Sequence, residues 1–427
     1  MATAEKPRTV QPDRPRGRNA PSIWVISELY YPEETSTGYF MTGIAQALAG
    51  RFPVRVLCAQ PTYSLRGKRA PTIEVHENVA IRRVWSTTLA NQTLGGRFAN
   101  LVTITGSVFL NALFRIKAKD RVLVESTPPT LPFTVALACL LRRAHCIAFV
   151  QDTYPEVLIA AGMIRKGSLL ARSLDRANRL LYRLSTRVVV LGRGMQDRVR
   201  HRLRGHDLSK VRVIRSWADI GLITAQPRNG SPFLERLAIS DKFVVQFAGN
   251  ISRLNDVENL VECMTILKLD TGIHFLFVGR GGRRDWLAAE VKRRQLPNVT
   301  LSKSLPRSKT AEMHRACDVV LIPLIPGMGG VAVPSRLYNS LASGRAIIAV
   351  TEEISELARI VTEEEVGWVV PPGDAERLAQ TIRRAAAEPE IGEAMGERAR
   401  AAAETRFSQR TITDKWIELF RELEASL

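Results

Sequence analysis

The sequence contains little of the chemistry that disulfide-rich, zinc-binding or aromatic-rich proteins depend on. Only five of its 427 residues are cysteine and six are histidine, and aromatic residues make up 6%. The cysteines include no Cys-x-x-Cys pair, which favours small core residues in a reducing compartment over a disulfide framework. The histidines are scattered along the chain, so we expect no zinc site.

Long uncharged segments are also scarce. The longest apolar runs, such as the one that begins at Leu101, fall short of the ~20 residues that a membrane-spanning helix needs. Residues 1–20 are polar and contain proline and arginine throughout. They are unlike a secretory signal peptide and predict a flexible basic tail. We therefore expect a protein that is soluble or lies on a membrane without crossing it.

The chain has a strong excess of positive charge. Its formal net charge is +19, with 61 lysines and arginines against 42 acidic residues. This charge is spread along the chain and is not interleaved with aromatic residues, which argues against nucleic acid as a partner. An anionic membrane surface or a phosphate-rich substrate is the favoured interpretation.

The length and the order of elements indicate two α/β domains. Single cores stop growing near ~250–300 residues, so this chain predicts more than one. Continuous apolar runs alternate with helical segments, which is typical of doubly wound parallel sheets that bind ligands at the carboxyl ends of their strands. A Pro/Gly/Asn/Ser stretch at 224–232 predicts the linker. The predicted division is 1–20 as tail, a first domain from 21 to 218, and a second domain from 219 to 410.

The stretch Gly329–Glu356 has the clearest signature of a ligand site. It predicts a glycine-rich loop, a helix opened by Pro334 and Ser335, a glycine stop and a buried strand. Unpaired N–H groups at a helix start attract anions, and Arg336 adds a cation. A phosphorylated ligand is the expected occupant, although an ordinary strand-helix crossover has the same local pattern.

This stretch resembles the donor-site signature of glycosyltransferase family 4, whose members are retaining enzymes of the GT-B fold. It is most similar to the signature of transferases that build O-antigen, capsule and colanic-acid-type repeat units. The similarity extends from Ile23 to about Leu423. It implies two Rossmann-like doubly wound domains that face each other across a cleft. It also implies that a carboxyl-terminal helix at 411–427 returns to the first domain.

The chain departs from the family pattern at an important place. Most members carry two glutamates there, and this sequence has Val331 and Asn339 instead. Asn339 is then the candidate for a weaker form of the missing donor contact. Glu356, which matches a later glutamate of the family, is the remaining acidic candidate.

Two further turns match the family's donor side. Gly249, Asn250 and Arg253 follow a predicted strand and match its G-N-x-x-[KR] loop, where Arg253 is expected to stabilise a diphosphate leaving group. A solvated loop arginine is the alternative. Gly279 and Gly281 form a second turn whose G-x-G-G pattern is weak by itself. The full set of expected donor and phosphate contacts is Gly249, Asn250, Gly279, Gly281, Pro334, Ser335, Arg336, Tyr338, Asn339 and Glu356.

The first domain is expected to supply the acceptor side. Thr37 and Gly38 match a glycine-containing loop of the family, although a simple helix cap explains them equally well. Asp152 and Tyr154 match the family's Q-D-x-Y-P motif directly after a strand. Asp152 is expected to orient the acceptor or assist removal of its proton, with a helix N-cap as the alternative. A predicted helix from about Gly96 to Lys117 either touches a membrane or packs on the sheet.

The resemblance implies a hexosyltransferase-type glycosyltransferase of bacterial surface polysaccharide synthesis. Its donor is a nucleoside diphosphate sugar and its acceptor a lipid-linked saccharide of the polyprenyl-diphosphate type. The sequence has no Asp-x-Asp, so we expect no metal and no cofactor, with cationic side chains in the metal's place. The implied location is the cytoplasmic face of the plasma membrane. A nucleotide-sugar epimerase of the same fold and a basic binding protein without catalysis remain open alternatives.

Overall fold

The computed structural model describes residues 21–61, 69–89, 94–303, 305 and 309–426. The predicted tail, 1–20, lies outside the described residues. Two parallel-dominated sheets form the framework, one in each half of the chain. The structure therefore has the two-sheet α/β architecture that the sequence predicts.

The first sheet has eight strands in the order β3-β4-β2-β1-β5-β6-β7-β8. All neighbours are parallel except β3 and β4, which pair antiparallel. Strand β1 pairs with β2 on one side and β5 on the other, so the strand order reverses beside it. Ligand sites of open α/β sheets lie at such a reversal. The strands are Ile23–Ile26, Val54–Cys58, Ile73–His76, Val79–Arg83, Arg121–Glu125, His145–Val150, Arg187–Val190 and Val211–Val213 (β1 to β8).

The second sheet has six parallel strands in the order β11-β10-β9-β12-β13-β14. Alternate side chains of its central strand enter different cores, with Val244 in the core shared with the first sheet and Val245 in a second core. One apolar core is thus continuous between the halves. The strands are Phe243–Ala248, Ile273–Val278, Val299–Ser302, Val319–Pro323, Ala346–Val350 and Gly367–Val370 (β9 to β14).

The helices of the first half lie on both faces of its sheet. Helix α2 packs on α3 and α3 on α5, while α1 packs on the last helix, α15. The helices before the second sheet are Ser36–Ala49, Leu94–Arg115, Leu131–Arg142, Glu156–Ala160, Leu169–Leu184, Arg193–Arg202 and Pro232–Arg236 (α1 to α7). The later ones are Val257–Ile266, Arg284–Arg294, Thr310–Arg315, Arg336–Ala342, Glu356–Glu363, Ala375–Ala387, Pro389–Thr405 and Gln409–Ser426 (α8 to α15).

The chain passes between the halves twice, at adjacent points. The backbone N–H of Ala218 donates to the carbonyl oxygen of Phe407 at 2.7 Å, and Ala218 forms an isolated bridge with Ser408. Helix α15 begins just after this bridge and buries Trp416 and Phe420 in the first half's core. The carboxyl-terminal helix therefore belongs physically to the first half.

Helix α2 is longer and more exposed than the sequence suggested. Its segment Gly95–Arg115 has 21 residues and is long and apolar enough to cross a membrane, yet only 17% of its most apolar window is buried. The expectation that every apolar run falls short of spanning length is wrong for this helix. Polar residues such as Thr103 and Asn111 interrupt the apolar run in the sequence without interrupting the helix.

Candidate active site

The two halves meet around a cavity of about 190 Å³. Its walls include Thr37 in the first turn of α1, Asp152 in the loop after β6, and Ser335, which directly precedes α11. These residues lie at the carboxyl ends of strands or at helix starts, where parallel sheets place ligand-binding side chains. The structure brings together two predicted acceptor-side residues and one predicted donor-side residue.

Asp152 is the carboxylate of this cavity. It is half-buried, and its side chain has no hydrogen bond or ion pair to any described residue. Burial raises the pKa of Asp152 to about 6. The N-cap alternative does not hold, because α4 begins at Glu156 and Pro155 occupies its cap position. The carboxylate is therefore open to a ligand.

A second carboxyl group lies close enough to Asp152 to interact with it electrostatically. Glu125, at the end of β5, is fully buried and accepts hydrogen bonds from the Ser27 hydroxyl at 3.0 Å and the Thr127 backbone N–H at 3.1 Å. Burial raises its pKa to about 8, despite these bonds. Near neutral pH Glu125 thus holds its proton for much of the time, which limits the negative charge next to Asp152.

Thr37 belongs to the start of α1. Its hydroxyl donates to Oε1 of Gln151 at 3.3 Å, which links α1 to the end of β6. Gly38 is buried within the same turn, and its N–H donates to the Thr35 hydroxyl, the helix N-cap. An added Cβ at Gly38 would lie 2.7 Å from the Glu33 carbonyl oxygen. The helix-cap alternative therefore explains Gly38, whereas Thr37 faces the cavity.

The loop after β6 bonds directly to the second half. The Thr153 backbone N–H donates to the Val331 carbonyl oxygen at 2.9 Å, and Asp152 forms an isolated antiparallel bridge with Ala332. Tyr154 points elsewhere, into a small cavity beside Phe133 and Tyr182. Burial raises the pKa of Tyr154 above its usual value. Tyr154 supports the loop from below and does not line the cavity between the halves.

The two glycine turns of the second half pack against each other. An added Cβ at Gly279 would lie 1.9 Å from the Gly249 carbonyl oxygen, and one at Gly281 would lie 2.2 Å from that of Ile251. Gly249 and Gly281 also have positive φ angles of 127° and 149°. Backbone packing alone therefore requires glycine at 279 and 281. Gly249 and Asn250 are exposed at the edge of this pair of turns.

Arg336 joins this turn to α11. Its Nη2 donates to the Asn250 carbonyl oxygen at 3.1 Å, and its guanidinium lies 4.3 Å from the centre of the Phe247 ring. Burial lowers the pKa of Arg336 to about 10, so the group stays cationic at neutral pH. Its buried Nη1 has no hydrogen-bond partner in the described part of the chain. A buried cation with an unused donor is a strong site for an anion. Because α11 has only seven residues, the Arg336 cation contributes more to anion binding than the amino-terminal end of the helix does.

Arg253 follows Asn250 on the same loop. It is exposed and makes no hydrogen bond or ion pair with any described residue. Asn255 fixes the loop, because its Oδ1 accepts from the Ser252 N–H at 2.9 Å and its Nδ2 donates to the Pro323 carbonyl oxygen at 3.1 Å. Arg253 is not among the residues that line the 190 Å³ cavity. Its predicted contact with a diphosphate therefore stays a prediction.

The remaining predicted residues of α11 separate into two groups. Tyr338 is 1% exposed and packs on Phe407 at 5.7 Å between ring centroids, so it is a core residue. Because its ring lies in the core, Tyr338 does not make the donor contact expected of it. Asn339 is half-buried, and its side-chain amide has no described partner, so it remains open to a ligand. Pro334 precedes the helix, and its carbonyl oxygen accepts from the Leu337 N–H.

Glu356 links the two halves, and arginines occupy both of its carboxylate oxygens. It is 2% exposed, and its Oε2 accepts from the Arg193 backbone N–H at 2.8 Å and from Arg193 Nε at 3.1 Å. Its Oε1 accepts from Arg215 at 2.8 and 2.6 Å. Burial opposes ionisation, but the Arg193 N–H and the Arg215 charge outweigh it and lower the pKa of Glu356. Both oxygens are thus occupied by arginines of the first half, which leaves neither of them for the predicted donor contact.

The sequence interpretation overlooked several residues around this site. Gln151 is the first residue of the Q-D-x-Y-P motif, and Phe247 lies two residues before Gly249, so the positions of these motifs could have indicated both. Arg193 and Arg215 are far from Glu356 in the sequence and carry no local pattern that predicts the pairing. Among the described residues no group of three or more His, Cys, Asp or Glu side chains is placed to hold a metal ion.

Comparisons with known proteins agree with this architecture. Residues 37–217 match the model of the glycosyl transferase 4-like domain, and residues 233–402 match that of glycosyl transferases group 1. The chain is 28% identical over 366 residues to the probable glycosyltransferase WbjE of Pseudomonas aeruginosa, covering 84% of this chain and 88% of that protein.

Two solved structures illustrate the fold. HepE of Anabaena in complex with UDP-glucose has a TM-score of 0.69 at 16% identity, covering 94% of this chain and 99% of that one. WaaG, a glycosyltransferase involved in lipopolysaccharide biosynthesis, has a TM-score of 0.66 at 16% identity, covering 93% and 99%. At these identities the likeness establishes the fold alone.

Proposed function

Because this chain belongs to the family 4 glycosyltransferases of the GT-B fold, we propose that it transfers a hexose from a nucleoside diphosphate sugar to a lipid-linked saccharide. The reaction retains the anomeric configuration and serves the synthesis of a bacterial surface polysaccharide. The supporting observation is the cavity between the halves, where Thr37 and Asp152 of one half face Ser335 of the other. A transferase needs such a site to bring donor and acceptor together.

The donor diphosphate binds at the edge of the second half. Arg336 offers a buried cation with an unused donor beside Gly249 and Asn250. Arg253 offers a second cation on the same loop, and Ser335 a hydroxyl with no described side-chain partner. Together they neutralise the charge that develops on the leaving diphosphate, without a metal. The UDP-glucose bound to HepE supports a donor of this class.

Asp152 acts on the acceptor. Its half-buried carboxylate is ionised above a pKa of about 6 and accepts a hydrogen bond from the acceptor hydroxyl. The hydroxyl attacks the sugar from the face that the diphosphate leaves, and the departing phosphate oxygen takes the proton. Asp152 thus orients the nucleophile, while the cationic turns stabilise the leaving group.

The acceptor's lipid chain implies contact with the plasma membrane on its cytoplasmic side. Four large side chains on one stripe of α2 are more than half exposed: Phe98 (67%), Val102 (51%), Leu110 (53%) and Phe114 (78%). Neighbouring α3 exposes Leu137, Leu140 and Leu141, and α5 exposes Leu180 and Leu184. We call these nine side chains the apolar face.

Cationic residues border the apolar face. Arg115 is the last residue of α2, and Lys117 and Lys119 follow it. Arg142 is the last residue of α3, and Arg143 caps this helix. All five are exposed. Apolar side chains next to cations suit a surface of anionic lipids. We therefore propose that the apolar face rests on the membrane and that α2 does not cross it, since α2 packs along α3 over the sheet.

The first experiment is a donor screen. Thermal shift with UDP, GDP, CMP and TDP sugars should show stabilisation by one nucleotide class. Transfer is then measured with that sugar and a lipid-linked saccharide. Free nucleoside diphosphate should appear only when the acceptor is present, whereas an epimerase would convert the donor without one. If no nucleotide sugar stabilises the protein, the proposed function is refuted.

A further inference from the structure

A second, larger groove lies beside the proposed active site. It has a volume of about 1020 Å³ and runs between α4, α5 and α6 of the first half and the loop at Pro326 and Gly327 of the second. It begins at Pro155, three residues after Asp152. None of the residues that we place at the donor site lines it.

The groove carries a strong excess of positive charge. Its walls contain five cations, Lys166, Arg172, Arg176, Arg179 and Arg198, but only two carboxylates, those of Glu156 and Asp175. Both carboxylates are already occupied by the buried Arg202, which reaches Glu156 at 2.5 Å and Asp175 at 2.8 Å. Since they are shared with Arg202, the two carboxylates offset only part of the charge of the groove, chiefly that of Arg179 and Arg198.

Three of these cations are unused. Arg179 is paired with Asp175, and Arg198 donates to the Gly329 carbonyl oxygen at 2.8 Å. Lys166, Arg172 and Arg176 are exposed, and their side chains make no hydrogen bond or ion pair with any described residue. Arg172 and Arg176 are one helical turn apart on α5, so both side chains lie on the same wall of the groove. A fork of two arginines and a lysine suits the oxygens of a phosphate or diphosphate.

Apolar side chains continue from the groove. Leu169 and Leu170, at the start of α5, are 82% and 54% exposed, and Met163 in the preceding loop is 64% exposed. Farther along α5, Leu180 and Leu184 belong to the apolar face. Helix α5 thus has a cationic stripe toward the groove and an exposed apolar stripe beside it. An amphiphile with an anionic head and a hydrocarbon chain matches both.

We propose that this groove binds the diphosphate of the lipid-linked acceptor. This inference rests on the proposed function for the identity of the ligand. The hydrocarbon chain lies along the exposed leucines of α5, toward the membrane. The diphosphate is held by Lys166, Arg172 and Arg176, and the saccharide extends past Pro155 toward Asp152.

The test uses binding of farnesyl diphosphate, which requires no turnover. The wild-type protein should bind farnesyl diphosphate at least tenfold more tightly than either farnesol or inorganic diphosphate, because the site combines cations with an apolar wall. The double variant Arg172→Gln/Arg176→Gln should lose tenfold to a hundredfold in affinity for farnesyl diphosphate. Both side chains are exposed, so the variant should keep the wild-type melting temperature.

The matched control is Arg410→Gln/Arg421→Gln on α15. It removes the same charge from two exposed arginines outside the groove and should leave the affinity for farnesyl diphosphate unchanged. Nucleoside diphosphate binding should be equal in all three proteins, which separates this test from that of the donor site. The proposed function can fail in the donor screen while the groove still binds farnesyl diphosphate.

Four results would overturn the proposal. The first is equal affinity of the wild type for farnesyl diphosphate and farnesol. The second is unchanged farnesyl diphosphate binding in the groove variant, and the third is an equal loss in the α15 control. If the groove variant loses binding only to vesicles that contain phosphatidylglycerol, the groove is a general contact for lipid head groups and the proposal is likewise refuted.

Discussion

The substitution Asp152→Asn should make the protein more stable and nearly inactive. Burial raises the pKa of Asp152 from 3.8 to about 6. Folding therefore disfavours the ionised carboxylate, and this cost is absent at pH values below the unfolded pKa. It grows as the pH rises from 3.8 to about 6 and is constant above that range.

The size of this effect follows from the shift. A difference of ~2 pKa units corresponds to ~3 kcal/mol as an upper limit, and partial exposure of the side chain reduces it to ~1–2 kcal/mol. Asparagine has nearly the same shape and no charge. At pH 8 the free energy of unfolding of Asp152→Asn should exceed that of the wild type by this amount, which raises the melting temperature by about 2 to 4 °C.

The assay is thermal unfolding of both proteins at pH 5 and pH 8. The stabilisation should be about half as large at pH 5 as at pH 8, because the folded carboxyl is then mostly protonated. Asp414→Asn, at an exposed carboxylate of α15, is the control and should change neither value. A lower melting temperature for Asp152→Asn at pH 8, or a gain of equal size at both pH values, would refute the burial argument.

Activity should change in the opposite direction. The variant should lose ~10²-fold or more in kcat, because a neutral amide accepts a weaker hydrogen bond from the acceptor hydroxyl and orients it poorly. Wild-type activity should rise as the pH increases through about 6, in line with the pKa of Asp152. This rise should be absent from the residual activity of the variant.

Four further substitutions test other parts of the site. Arg253→Ala should lower kcat by ~10²–10³-fold without changing the melting temperature, since an exposed cation stabilises the leaving group, and near-normal transfer would contradict this role. Asn339→Ala should raise the Kd for the donor only a few-fold, so complete loss of binding would show a larger role. Glu356→Gln should lower the free energy of unfolding by ~2 kcal/mol and leave donor affinity unchanged. Weaker donor binding at unchanged stability would instead support the predicted contact between Glu356 and the donor. Phe98→Glu/Phe114→Glu should abolish binding to vesicles that contain anionic lipid. The control variant is Leu269→Glu/Ile391→Glu, which changes two exposed residues outside the apolar face. Equal vesicle binding by the two variants would refute contact of the apolar face with the membrane.

The sequence allowed prediction of the local elements because their signals are local. A buried parallel strand is a continuous apolar run, as at β1 and β13, and glycine or proline marks the turns around it. The loop after β6 could be located in the same way, so Asp152 was found. The edge strand β3 has no such apolar run, because it is paired on one side only and none of its residues is buried.

Side-chain orientation and pairing between distant segments were not predictable. Tyr338 and Asn339 are neighbours on one helix, yet one faces the core and the other remains open, and only packing decides between them. The glycines at 279 and 281 suggested approach of a ligand, but backbone contacts with the turn at 249–251 explain them.

The sequence by itself determined two α/β halves, an excess of positive charge and the loops at which chemistry can occur, because apolar periodicity and turn residues act over a few positions. Only the tertiary structure decided that Glu356 binds two arginines of the other half and that Thr37, Asp152 and Ser335 share one cavity. It alone revealed the unpaired cations of α5 beside an exposed apolar stripe. Such arrangements depend on how the sheets pack against each other, and the free energy of that packing is spread over the whole core.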